Sequence, residues 1–206
     1  MNMINLNCYV INLKRCSEKR DRIKNKLDNL KIKYTIYDAI DGQNITNEYM
    51  ETNNYKVNNE WKDPYHNRKT TLGEIGCSLS HYNVMKMCLN AEYDISLIVE
   101  DDADFCDKFC ENVFQALYEL NSINDWDYCY LGRKKVNNDI DEKLVNNNIV
   151  KPQYSYWTIG SLIHRRGCKK IINSNFLENI IPVDEFLPLI SDVSPHTEFR
   201  GIYNTS

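Results

Sequence analysis

A chain of 206 residues, 42% of them hydrophobic and 26% charged, has the length of one ordinary domain and enough apolar matter for a core, which excludes a disordered polymer. The formal net charge of -4 supplies no global basic field for nucleic acid or an anionic membrane surface. Met1 to Leu13 has no basic segment followed by a long apolar run, and no window reaches bilayer-spanning length. Residues 1–206 therefore read as a single soluble domain, with the compartment open and any signal or anchor left to a longer parent protein.

Eight cysteines stand at 8, 16, 77, 88, 106, 110, 129 and 168. None forms a Cys-x-x-Cys pair, which argues against a structural zinc site. Cys8, Cys77 and Cys129 fall in apolar segments, where a free thiol packs as a small hydrophobe. The set reads as reduced core cysteines rather than a disulfide framework. Two sequons, Asn44-Ile-Thr46 and Asn204-Thr-Ser206, are compatible with secretion and short enough to arise by chance.

In chain order, Cys8 to Leu13 predicts a short buried strand. Ser17 offers an N-cap, and Ile23, Leu27 and Leu30 lie at helical spacing within Arg22 to Leu30. Lys33 to Tyr37 reads as a second strand and Ile40-Asp-Gly42 as a turn. Thr52 to Thr70 is polar, Asn-rich and without a period, the pattern of a functional or mobile loop. Leu72 to Asn90 is the clearest helix, with Ile75, Leu79, Tyr82, Val84, Met85 and Cys88 building a broad apolar face. Ile95 to Val99 is a buried strand, Cys106 to Leu120 a helix and Tyr128 to Leu131 a short strand. After a polar excursion from Lys134 to Asn148 come a strand at Ile159 to His164 and a helix at Arg166 to Ile172. A short helix from Asp184 to Ile190 contains Pro188. Strands alternating with helices predict an α/β fold with a central, mainly parallel sheet flanked by helices, and no repeat or linker divides it.

One segment carries more chemistry than the rest. The apolar strand Ile95-Ser-Leu-Ile-Val99 runs straight into Glu100, Asp101, Asp102 and Asp104. In open α/β sheets, ligands bind at the carboxyl ends of strands. Carboxylates packed this densely repel one another unless a cation neutralises them, and oxygen donors suit Mg²⁺ or Mn²⁺ bridging to a diphosphate. In an extended segment alternate residues share a side, so Glu100 and Asp102 are the candidate metal pair. A solvated acidic turn before the next helix would give the same pattern without a metal.

Further segments join this one in an order that resembles glycosyltransferase family 25, which includes lipooligosaccharide glycosyltransferases and procollagen galactosyltransferases. They are Val10-Ile-Asn-Leu13 with Arg15 and Arg20, then Leu72-Gly-Glu-Ile-Gly-Cys-Ser-Leu-Ser-His81, then Leu97-Ile-Val-Glu-Asp-Asp102. Tyr156-Trp-Thr-Ile-Gly160 with Ile163 to Lys170, and Pro182-Val-Asp-Glu-Phe-Leu-Pro188, complete the set. Each is weak singly, and the ordered set covers most of residues 8 to 188. The resemblance implies a GT-A-like nucleotide-diphospho-sugar transferase fold, a UDP-sugar donor, and Mn²⁺ or Mg²⁺. Beyond Pro188 the chain departs from the family's pattern, which leaves a trimmed domain or a naturally short member of reduced activity open.

The resemblance also implies roles. Leu13, Arg15 and Arg20 would meet the nucleotide, an Arg being suited to bidentate phosphate pairing, although Arg20 also suits a solvated helix start. Gly73 and Gly76 each cost about 1 kcal/mol against Ala inside a helix, so a ligand or another backbone should come close there. Gly76, His81 and Asp101 are candidate donor contacts, His81 being equally suited to a satisfied core position. Trp157 would stack on a sugar, with Thr158 and Gly160 nearby, while core packing is the ordinary role of Trp. Asp184 and Glu185 are the candidate catalytic bases, because inversion by direct displacement needs a group to take the acceptor proton. They would otherwise be first-turn carboxylates of a short helix.

The expectation is a metal-dependent, inverting transfer of a hexose from UDP-galactose or UDP-glucose to a glycan or a collagen-like hydroxylysine. The alternatives are an inactive sugar-nucleotide-binding module of a multidomain protein, and a metal-dependent nucleotidyltransferase or phosphatase. No P-loop or phosphatase-like nucleophile motif supports the latter.

Overall fold

The computed structural model describes residues 6–203, so the second sequon, at Asn204, lies outside the described residues. β1 (Asn7–Asn12) is the buried strand expected at Cys8 to Leu13. β2 (Thr35–Asp38) and β3 (Ile95–Glu100) flank it in parallel. β5 (Ser155–His164) pairs antiparallel with β3, and β4 (Tyr128–Lys135) pairs antiparallel with β5, giving the order β2-β1-β3-β5-β4. β4 thus points the same way as β1, β2 and β3, and β5 alone is reversed. The expected α/β architecture is present as a mixed sheet with a parallel centre.

Crossovers explain where the functional end lies. The chain returns from β1 to β2 through α1 (Ser17–Asn29) and from β2 to β3 through α3 (Leu72–Cys88). Parallel neighbours need such crossovers, and each brings the next strand out at the same edge. The carboxyl ends of β1, β2 and β3 therefore open together.

Side-chain alternation assigns the two faces. Cys8 and Val10 face Ile23 and Leu27 of α1 and Val113 and Leu120 of α4 (Phe109–Leu120). Tyr9 and Ile11 face Ile75, Leu79 and Met85 of α3, a layer shared with α5 (Arg165–Ile172) and α6 (Val183–Ile190). Ile23 and Leu27 are fully buried, and side chains of this size contribute about 1.5–3 kcal/mol each when removed from water.

Several expectations shift. Cys16, not Ser17, occupies the cap of α1, and no side-chain hydrogen bond caps it. Cys106 to Lys108 form a turn ahead of α4. β4 and β5 run longer than their apolar cores because register shifts at Gly132 let a polar stretch keep pairing. The Asn-rich stretch is anchored: Trp61 is 2% exposed, and Asn58 N–H donates to the Ile180 carbonyl at 3.0 Å. Its neighbour Lys56 donates to Leu177 at 2.9 Å, so one end of the predicted loop is tied down ahead of α6. A further short helix, α2 (Asn47–Thr52), is capped by Thr46.

Candidate functional site

A crevice of about 510 Å³ opens at the carboxyl ends of β1 and β3. Its walls come from the β1–α1 turn, the β2–α3 connection, the first turns of α3 and the acidic end of β3. A glycine contact brings two of these walls together. A Cβ on Gly76 would lie 2.5 Å from the Ile40 carbonyl oxygen, and one on Gly42 would lie 2.4 Å from that of Leu72. These are approaches only glycine permits. Gly76 is thus explained by another backbone rather than by a ligand, whereas Gly73 meets nothing closer than 4.0 Å and lines the crevice. α3 begins with a reciprocal cap: Thr71 N–H donates to Glu74 Oε2 at 2.7 Å, and Glu74 N–H donates to Thr71 Oγ1 at 3.3 Å. Arg68 holds Glu74 with two bonds of 2.8 Å.

Leu13, Arg15, His81, Glu100, Asp101 and Asp102 of the predicted residues line this crevice. Arg15 Nε donates to Asp41 at 2.5 Å. Arg20 does not line it. It donates to Asn12 Oδ1 at 2.6 Å and pairs with Asp38, bracing β1 against β2. Lys19, one residue earlier, reaches Asp101 at 3.3 Å and Asp102 at 3.4 Å and lines the crevice instead. Sequence reasoning missed Lys19, Asp41 and buried Asn12; charge at the β1–α1 turn was the available signal for the first.

The acidic run divides. Glu100 Oε1 lies 3.0 Å from His81 Nε2 and accepts from Thr158 Oγ1 at 2.7 Å. Asp101 is buried and accepts from Asn12 Nδ2 at 2.7 Å. Asp102 is half exposed beside Lys19, and Asp104 pairs with Lys26 away from the crevice. Lys19, Lys26 and His81 thus each pair with carboxylates of the run. The donors still fit a metal: among the described residues no hydrogen bond reaches Glu100 Oε2, and Asp102 has only the lysine. Both supply the hard oxygens that Mg²⁺ or Mn²⁺ prefers.

His81 is fully buried. Burial alone would lower its pKa, but hydrogen bonds and charge from Cys77 and Glu100 outweigh this and push it up to about 10. Burial would likewise raise the Glu100 pKa, yet His81, Thr158 and Lys19 hold it below the usual range. Cys77, read from sequence as a packed hydrophobe, is exposed and lines the crevice, because the apolar face of α3 turns the other way.

The second acidic pair is in the first turn of α6. Burial raises the Asp184 pKa, its own and Trp157 backbone N–H groups oppose this, and Glu100 and Glu74 raise it further. Asp184 therefore stands within electrostatic reach of Glu100 without lining the crevice. Glu185 turns into the protein and is 5% exposed. Tyr154 Oη lies 2.8 and 2.7 Å from its two oxygens and 2.8 Å from Tyr156 Oη.

Between the two pairs runs Tyr156 to Gly160, part of β5 rather than the expected loop. Trp157 has φ of 74°, a left-handed conformation that bulky residues rarely adopt, so a bulge rotates its ring outward. The ring is 49% exposed, with Lys134 Nζ 5.6 Å from its centroid. Thr158 is buried against Glu100, and Gly160 sits inside the sheet opposite Val99. A second cavity of about 550 Å³, at the edge of β4, contains none of these residues. No helix among the described residues is long and apolar enough to cross a membrane.

Comparison with known proteins shows the family. Procollagen galactosyltransferase 1-A of Xenopus laevis is 39% identical over 199 residues, covering 95% of this chain and 33% of that protein. Human procollagen galactosyltransferase 2 is 35% identical over 200 residues, covering 96% of this chain and 32% of that protein. A glycosyltransferase 25 family member of Drosophila melanogaster is 36% identical over 189 residues, covering 91% of this chain and 31% of its own length. The chain thus spans about a third of the length of these relatives. The model of glycosyltransferase family 25 (LPS biosynthesis protein) matches residues 5–187, and the chain belongs to that family.

Proposed function

We propose that this chain is a galactosyltransferase domain that moves galactose from UDP-galactose, with UDP-glucose the competing donor, to the hydroxyl of a collagen-like hydroxylysine or a glycan. The observation that carries this reading is a nucleotide-sized crevice at the ends of β1 and β3 whose lining brings Arg15 and Lys19 together with Glu100 and Asp102, while Thr158 ties Glu100 to β5 and Asp184 feels the charge of Glu100. The names of the relatives support galactose and collagen.

In this reading Leu13 and Arg15 hold the nucleotide, and Lys19 lies within reach of the diphosphate. Asp101, fixed by Asn12, keeps the β1 and β3 ends in register so that Glu100 and Asp102 face the phosphates. Mn²⁺ or Mg²⁺ held by Glu100 and Asp102 would supply charge compensation for the departing UDP. Trp157 offers an apolar face to a sugar ring. Asp184 takes the proton of the acceptor hydroxyl, its raised pKa bringing it closer to the working range of a general base. Displacement from the side opposite the leaving group inverts the anomeric carbon. Glu185, held by Tyr154, positions α6 instead.

A second reading has its own support. Lys19 over Asp101 and Asp102, and His81 against Glu100, already neutralise the acidic run, as a sugar-nucleotide-binding module without turnover would require. Mass spectrometry of a hydroxylysine peptide incubated with UDP-galactose and Mn²⁺ separates the two. Addition of one hexose with release of UDP supports the transferase. Tight UDP binding with no addition to any hydroxyl acceptor supports the binding module.

A further inference from the structure

We infer that Cys77, His81 and Glu100 form a site for one thiophilic divalent cation, Zn²⁺ in class, on the inner wall of the crevice. One ligand atom from each of the three lies within 4.8 Å of the others, and among the described residues this is the one such group. The placement follows from the fold. Cys77 and His81 are four residues apart on α3, so they share a face and their side chains lean toward the helix start. Glu100 arrives from the end of β3, its Oε1 3.0 Å from His81 Nε2.

Thiolate, imidazole and carboxylate together are a zinc donor set. Bond lengths of about 2.0–2.3 Å place the ligand atoms of a tetrahedral site roughly 3.3–3.8 Å apart, so a contraction of about 1 Å completes it. Cys77 is exposed, and rotation about its side chain can supply that movement. The other two ligands are already held. His81 is fully buried, and its Nε2 is fixed 3.0 Å from Glu100 Oε1.

Cys77, His81 and Glu100 all line the crevice, so a fourth ligand can come from that side, while Thr158 Oγ1 lies 2.7 Å from Glu100 and 3.3 Å from His81. A water or a ligand oxygen can enter there. The site differs in chemistry from the Glu100–Asp102 oxygen pair, because sulfur and nitrogen favour zinc over manganese or magnesium. Binding needs the Cys77 thiolate and the neutral His81 imidazole, so the thiol proton and the imidazolium proton both leave to solvent. A consequence, resting on the proposed donor site, is inhibition: a zinc ion that engages Glu100 withdraws it from the nucleotide.

Co²⁺, added to the reduced full chain stripped of other metals and without nucleotide, reports the site directly. The expected result is a thiolate-to-cobalt absorption band that saturates at one ion per chain and disappears when Zn²⁺ is added. Cys77→Ser should abolish the band, and Glu100→Gln should weaken Co²⁺ binding at least about 10-fold, the usual scale for damage to a metal site. Absence of the band in the wild type, or its survival in Cys77→Ser, overturns the site. So does unchanged affinity in Glu100→Gln. Since no step uses UDP, a failure here leaves the transferase reading standing, and a band without UDP binding does the reverse.

Discussion

The two acidic pairs of the crevice region are built alike. In each, adjacent carboxylates are divided between the interior and the site. Asp101 is buried and held by Asn12, while Glu100 and Asp102 face the crevice. Glu185 is buried and held by Tyr154, while Asp184 stands beside Trp157 and feels the charge of Glu100. The pairs differ in how their charge is compensated. Lys19 and His81 compensate the first, whose Glu100 keeps a lowered pKa. Among the described residues no salt bridge reaches the second pair, and both its carboxyl groups are pushed up by burial. A compensated pair suits holding a charged nucleotide; an uncompensated one suits moving a proton.

Substitutions break this division in a graded order. Asp184→Asn should lower transfer by about 10²–10⁴-fold, the usual worth of a general base, while leaving the melting temperature unchanged or higher because a costly buried charge is removed. Initial rates and thermal melts on the same sample check both halves. Glu185→Ala should behave oppositely, losing about 1–3 kcal/mol of stability in urea titrations as the Tyr154 hydroxyl is left without its carboxylate. If Asp184→Asn destabilises and Glu185→Ala only slows turnover, the roles are exchanged.

The pH profile sharpens the same contrast. Asp184 must lose its proton to act, and its pKa lies above the ordinary carboxylate value, so the acidic limb of transfer should be displaced upward. His81 gives a stability signal of the other sign. Its folded pKa, raised from 6.5 to about 10, means that its stabilising contribution is full below about pH 6.5 and fades as pH rises through 10. The stability gap between wild type and His81→Gln should therefore narrow from pH 7 to 10, measured by urea unfolding. The smallest effect is expected at Arg20→Gln, about 1 kcal/mol of stability or less, because its partners Asn12 and Asp38 only brace strand ends and Asp38 is well exposed.

Much of this was legible in the sequence. The apolar runs at Cys8 to Leu13 and Ile95 to Val99 mark central strands because both of their faces are covered. The acidic run after Val99 marks the ligand end by the same logic. What periodicity could not supply was the partner of each charged residue. Arg15 and Arg20 look alike in sequence, yet one lines the crevice and the other ties β1 to β2. Cys77 sits in an apolar helix but on its open face, and only the packing of α3 reveals which face that is. Trp157 sits on a bulge, where a rare backbone angle overrides strand alternation. Lys19 was hidden in a basic cluster, which ordinarily reads as a solvated face.

The most direct test of the donor site is calorimetric titration of UDP into the wild type and Asp102→Asn, each with and without Mn²⁺. The account predicts that Mn²⁺ strengthens UDP binding to the wild type and that Asp102→Asn loses this enhancement while folding normally. An Mn²⁺-dependent affinity that is the same in both proteins would contradict it.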